Sequence, residues 1–171
     1  MTTTPRPGAD PATDGDGTGR TNDADGRHER LHGLAVGLVG GAVATAVMSA
    51  FRIPIARSPP PTAWFWAEFV AGGEPADYVG RGLLLHLLYG TLGGGVFGLL
   101  VGPFITGPEA TRERRATLLG AAYGATLSAF GVSVVLDRLL GLELEPDERF
   151  VFHVSHLVYG LTLGTWFGSR D

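Results

Sequence analysis

Long apolar runs alternate with short polar segments along this chain. Four runs stand out, at about residues 31–51, 82–101, 116–136 and 150–168, and none contains Asp, Glu, Lys or Arg. At ~1.5 Å of rise per residue each run makes a helix of about 30 Å, the thickness of a bilayer's hydrocarbon core. The pattern predicts an all-α integral membrane bundle of four transmembrane helices occupying residues 30–171. The first run is too long for the apolar region of a signal peptide, and Gly40, Gly41 and Ala44 do not read as a cleavage site, so it is expected to be retained.

Two phrases recur. His86-Leu87-Leu88-Tyr89-Gly90 returns as His156-Leu157-Val158-Tyr159-Gly160, and the segment from Gly41 to Phe51 matches that from Gly120 to Phe130 at Gly41/Gly120, Ala42/Ala121, Ala46/Ala125, Ser49/Ser128, Ala50/Ala129 and Phe51/Phe130. Run one thus pairs with run three and run two with run four. The expectation is two tandem helical hairpins related as parallel repeats about an axis along the membrane normal, which puts His86 and His156 at similar depth. Small residues supply the means of packing: Gly33, Gly37 and Gly41 in the first span, Gly90 and Gly93 in the second, Gly120 and Gly124 in the third, Gly160 and Gly164 in the fourth. In lipid, such faces let helix backbones approach closely, and they also allow a homo-oligomer.

The halves differ between their paired spans, where the first loop is longer by about nine residues around Pro59-Pro60-Pro61. The three prolines predict an extended stretch, and Trp64 to Phe69 a short helix whose Trp64, Trp66 and Phe69 act as an interfacial anchor or as a lid over the histidine layer.

Residues 1–29 are rich in Thr, Pro, Gly and Asp and hold almost nothing apolar, which predicts a disordered acidic tail. Asp14, Asp16, Thr18, Gly19, Asn22 and Asp25 approach the spacing of a calcium loop but lack its flanking helices, so a solvated tail is the expectation. Cysteine is absent, which excludes disulfides and thiolate ligands, and all 13 basic residues are Arg. Together with the acidic tail, this composition resembles that of proteins from a halophilic archaeon. Arg20, Arg27, Arg30, Arg112, Arg114, Arg115 and Arg170 flank one side of the spans, against Arg52, Arg57, Arg81, Arg138 and Arg149 on the other. This bias predicts a cell-membrane protein with both termini cytoplasmic.

Ionisable groups inside spans mark functional sites by default. The candidate polar site is His86, Tyr89, His153, His156 and Tyr159. In the reading adopted, these histidines set helix register by hydrogen bonding, with no metal and no cofactor. Three sharper readings compete with it: bis-histidine haem ligation by His86 and His156, a metal site that adds His153, and a histidine-lined permeation path. Serines 49, 128, 133 and 155 lie in apolar helices, and Gly93-Gly94-Gly95 lacks the lysine of a phosphate loop, so no enzymatic chemistry is predicted. The Arg112–Arg115 cluster is too short for nucleic acid and suits lipid headgroups. The expected partner is the lipid bilayer; no partner protein is indicated.

A glycine-rich first span, the loop prolines Pro54, Pro59, Pro60 and Pro61, a histidine near the start of the second span and His156-Leu157-Val158 in an aromatic last span resemble the YagU-like family of small prokaryotic inner-membrane proteins. The resemblance covers residues 31 to 168. It implies a membrane location and a four-helix layout, and no catalytic residue.

Overall fold

A computed structural model describes residues 17–170, with side chains from residue 26 onward. All regular structure among these residues is helical. Helix α1 runs from Gly17 to Arg52 and contains no proline. Its start lies inside the stretch that composition assigns to the tail, because extending an existing helix costs far less than nucleating one. The first 16 residues, and the side chains of the calcium-like spacing, lie outside the described residues.

Helix α2, Pro61–Trp66, passes into a wider π-helical turn at Ala67–Ala71. Here the proline expectation needs correction: Pro60 is extended (φ −61°, ψ 145°), but Pro61 begins the helix. Proline suits a first helical position, where its missing N–H would have no partner. Helix α3 spans Val79–Val101, and α4, Glu109–Phe130, continues without a break as the π-helical segment Gly131–Leu140. Gly141, at φ 60°, ends that segment while the Leu142 N–H caps the Leu136 carbonyl at 2.9 Å. Helix α5 is Pro146–Gly168.

Three stretches are long and apolar enough to cross a membrane: Gly26–Arg52, Pro75–Phe104 and Glu109–Leu140. They indicate a membrane location. The 23 residues of α5 match α3 in length, but His153, His156, Tyr159 and Trp166 lower its hydropathy.

The side-chain pattern of α3 is that of a protein dissolved in lipid. Leu84, Leu88, Leu92, Val96 and Leu100, spaced by four, form an exposed apolar stripe. On the opposite face Gly82, Gly90, Gly94 and Gly98 are buried. Water would favour the reverse; a bilayer gains nothing from hiding leucine and rewards close backbone packing.

Helix α1 packs along α3, α4 along α5, and α5 also along α1, whereas α3 and α4 barely touch. The α1–α3 seam is backbone on backbone: a methyl group on Gly41 would lie 2.6 Å from the Gly90 carbonyl oxygen and 2.9 Å from the Gly94 Cα. In the α4–α5 seam, a methyl on Gly120 would lie 2.7 Å from the Gly164 Cα, and one on Gly124 3.0 Å from the Gly160 Cα. Between the seams, Ala44, Met48, Phe97, Tyr159 and Leu163 form the central core, and Val132, Leu136 and Phe152 a smaller one beneath α2.

Candidate functional site

The polar layer lies where α1 ends. His86, on the glycine stripe of α3, is half-buried and stands edge-on to Tyr89, with ring centroids 4.9 Å apart. It makes no hydrogen bond among the described residues. His156 on α5 is buried, 4% exposed, against the Phe152 ring, with centroids 4.3 Å apart. Its Nδ1 lies 2.9 Å from the Phe152 carbonyl oxygen. A carbonyl only accepts, so Nδ1 carries the proton and Nε2 of the neutral ring is left as an acceptor.

The other candidates diverge. His153 is exposed and does not share the buried face of His156; its Nδ1 meets the Ser128 hydroxyl at 2.7 Å. Tyr159 is buried and donates to the Gly90 carbonyl at 2.7 Å, reaching from α5 to α3, whereas Tyr89 is 43% exposed. Tyr123 donates to the Gly93 carbonyl at 2.8 Å. Gly93 therefore faces these two hydroxyls rather than the α1 backbone, and Gly94 takes the packing position expected of it. Of the loop aromatics, Trp64 and Trp66 are half-buried and Phe69 is 51% exposed. The segment is docked by Ala63, whose Cα would lie 2.9 Å from a methyl on Gly82.

Beneath α2, between α3 and the π-helical end of α4, lies a cleft of about 380 Å³. This is within the ~300–1,000 Å³ typical of small-molecule sites. His86 and His156 both line it, Arg52 and Tyr89 add polar groups, and Thr62 and Phe65 of α2 form its roof. Leu85, Val135 and Leu139 make its walls apolar. Its side is open: Tyr89, Phe130 and Leu139 are 43%, 55% and 47% exposed, where α3 and α4 part. A cavity of about 30 Å³, touched by both histidines, continues inward to Tyr159. That is room for about one water. Among the described residues no group of three or more His, Asp or Glu could hold a metal ion.

Two participants escape a reading based on the five-residue phrases. One is Arg52, the last residue of α1, which also borders cavities of about 290 and 130 Å³ on its far sides. The other is the full stripe. His86, Gly90, Gly94 and Gly98 recur as His156, Gly160, Gly164 and Gly168, and counting in steps of four from each histidine would have found them.

Fold and site together define a helical membrane protein with a laterally open apolar cleft at one end of its bundle. No family model matches the chain, and neither the curated proteins nor the solved structures include a match.

Proposed function

We propose that this is a four-span membrane protein built from two duplicated hairpins, and that it acts without catalysis, by binding a small apolar molecule in the cleft beneath α2. The observation that carries the binding reading is the cleft itself: about 380 Å³, apolar-walled, with both histidines at one end. Duplication draws support from the seams. Shifting α1 by 79 residues and α3 by 70 turns the Gly41 contacts with Gly90 and Gly94 into the Gly120 contacts with Gly160 and Gly164. It also turns Gly37–Gly94 into Ala116–Gly164. The resemblance to YagU-like proteins agrees with the layout and adds no activity.

Topology and binding are tested separately. The chain has no cysteine, so single-cysteine labelling needs no background removal. With four spans, Thr106→Cys and Ser169→Cys react with an impermeant maleimide from one side of the membrane and Ser58→Cys from the other. Reaction of Ser169→Cys from the Ser58 side would leave α5 uncrossed and overturn the four-span layout. For binding, a neutral apolar fluorophore should be taken up by the protein in nanodiscs and displaced when Leu85→Trp fills the cleft. Equal uptake by the two would remove the cleft reading.

A second reading, a small carrier, rests on a cavity of about 520 Å³ at the opposite end, bordered by Arg30, Gly98 and Phe167. Phe97, Leu163 and Ala44, all fully buried, separate it from the histidine layer. A carrier closed at this plug would leak solute or protons in proteoliposomes once Phe97→Ala opens it. A tight Phe97→Ala variant would sink that idea.

A further inference from the structure

Building on the cleft reading, we infer that its ligand is an acidic amphiphile, an apolar chain carrying one carboxylate or phosphate, with Arg52 as the group that receives the acid. Arg52 is half-buried at the end of α1 and lies over the Phe152 ring, 5.8 Å from its centroid. It forms no ion pair among the described residues. Its neighbour Arg57 has taken Asp147, at 3.1 Å. Glu148 borders the small cavity on the far side of Arg52 but makes no ion pair with it. The cleft wall itself contains no Asp or Glu. Glu148 acts on Arg52 through space and not by contact, so the partly buried guanidinium keeps no direct counter-ion, and an anion entering the cleft supplies one.

The roof supplies a second group for such a head. The Thr62 hydroxyl oxygen is buried, has no hydrogen-bond partner among the described residues and belongs to a residue lining the cleft. A buried hydroxyl normally finds a partner, and a rotation of this side chain toward an acid oxygen held at Arg52 would provide one. Below that head, Leu85, Val135 and Leu139 offer only apolar contact. The cleft opens sideways, where lipid lies, which suits a molecule arriving from the bilayer rather than from water. Shape and charge thus point the same way: acid at the α1 end, chain between α3 and the end of α4. A neutral chain would leave Arg52 without a contact partner, and a cationic one would be repelled.

The test uses the full chain in phosphatidylcholine nanodiscs and a fluorescent long-chain fatty acid, compared with its methyl ester. The acid should bind the wild-type protein at least tenfold more tightly than the ester. Arg52→Gln should abolish that preference while ester binding persists, and Leu85→Trp should reduce both. If acid and ester bind wild type equally, the assignment to Arg52 is overturned and the apolar cleft survives. If neither binds, both readings fall. The wild-type comparison decides the matter even where Arg52→Gln does not fold. Phosphatidylglycerol added to the nanodiscs distinguishes two sources of the same chemistry: competition identifies a bilayer lipid as the occupant, and its absence a free single-chain acid.

Discussion

The α1–α3 and α4–α5 pairs are nearly the same object at their seams and different objects at the polar end. Both are held by backbone contact along glycine stripes spaced by four residues, with a histidine one step beyond the first seam glycine. At the polar end the equivalence stops. The position of Arg52 in the first pair falls to Gly131 in the second, where the missing side chain admits Phe152, whose ring would lie 2.8 Å from a methyl there. The first pair alone carries α2. Tyr159 crosses to the other hairpin while Tyr89 turns outward. What the pairs share builds the scaffold, and what they do not share builds most of the cleft: its cation and its roof come from positions where the halves differ in sequence, and its open side includes Tyr89, a residue both halves have but place differently.

The sharpest way to break this comparison is to overfill both seams. Gly94→Leu and Gly164→Leu occupy equivalent places, and a first methyl already lies 2.5 Å from the Gly41 Cα in one and 2.9 Å from the Thr117 Cα in the other. Helix backbones cannot yield as side chains do, so each substitution should cost about 3 kcal/mol, the upper part of the range for overpacked cores. Thermal unfolding in a mild detergent measures it. Similar losses from both are expected; tolerance of one alone would mean that only one seam holds the bundle.

The two histidines come next. Both line the cleft, but His156 is buried against Phe152 and bonded to its carbonyl, whereas His86 is half-buried and has no such bond among the described residues. His156→Ala should therefore destabilise by about 2 kcal/mol and His86→Ala by less than ~0.5 kcal/mol, the usual difference between a buried and a loosely held site. Equal losses in chemical unfolding would restore the symmetry that the doubled phrase implies and remove the distinction between the bonded, buried His156 and the half-buried His86.

How much of this was legible beforehand follows from what sets each feature. The helical class and the three apolar spans are written in residue type, because a bilayer admits no other arrangement of such runs than helices. The glycines of α1 and α4 announced the faces on which they pack, by recurring every fourth residue. The stripe of α3 is harder to read: Gly93, Gly94 and Gly95 are consecutive and leave three faces open to composition, and the count in fours from His86 that singles out Gly94 is the one that contact with α1 selects. In the sequence Arg52 marks orientation, since its place at a span's end is what topology rules weigh. Its second role depends on which helices surround it. The fate of each tyrosine depends on the distance between hairpins, which no local pattern encodes.

The tyrosines give the finest test, because they occupy equivalent positions in the repeated phrase and differ only in surroundings. Tyr159→Phe removes a hydroxyl that donates to the Gly90 carbonyl across the hairpins. That carbonyl belongs to a helix and keeps its own backbone partner, so the loss is only that of an interhelical hydrogen bond in a membrane protein, about 0.6 kcal/mol and at most about 1.7 kcal/mol. Tyr89→Phe removes a hydroxyl with no hydrogen bond among the described residues and should cost nothing measurable. The double variant then unfolds as Tyr159→Phe does. Were Tyr89→Phe the costlier of the two, the outward position of that ring would be wrong, the open side of the cleft would close, and the route by which a lipid-borne ligand enters would have to lie elsewhere.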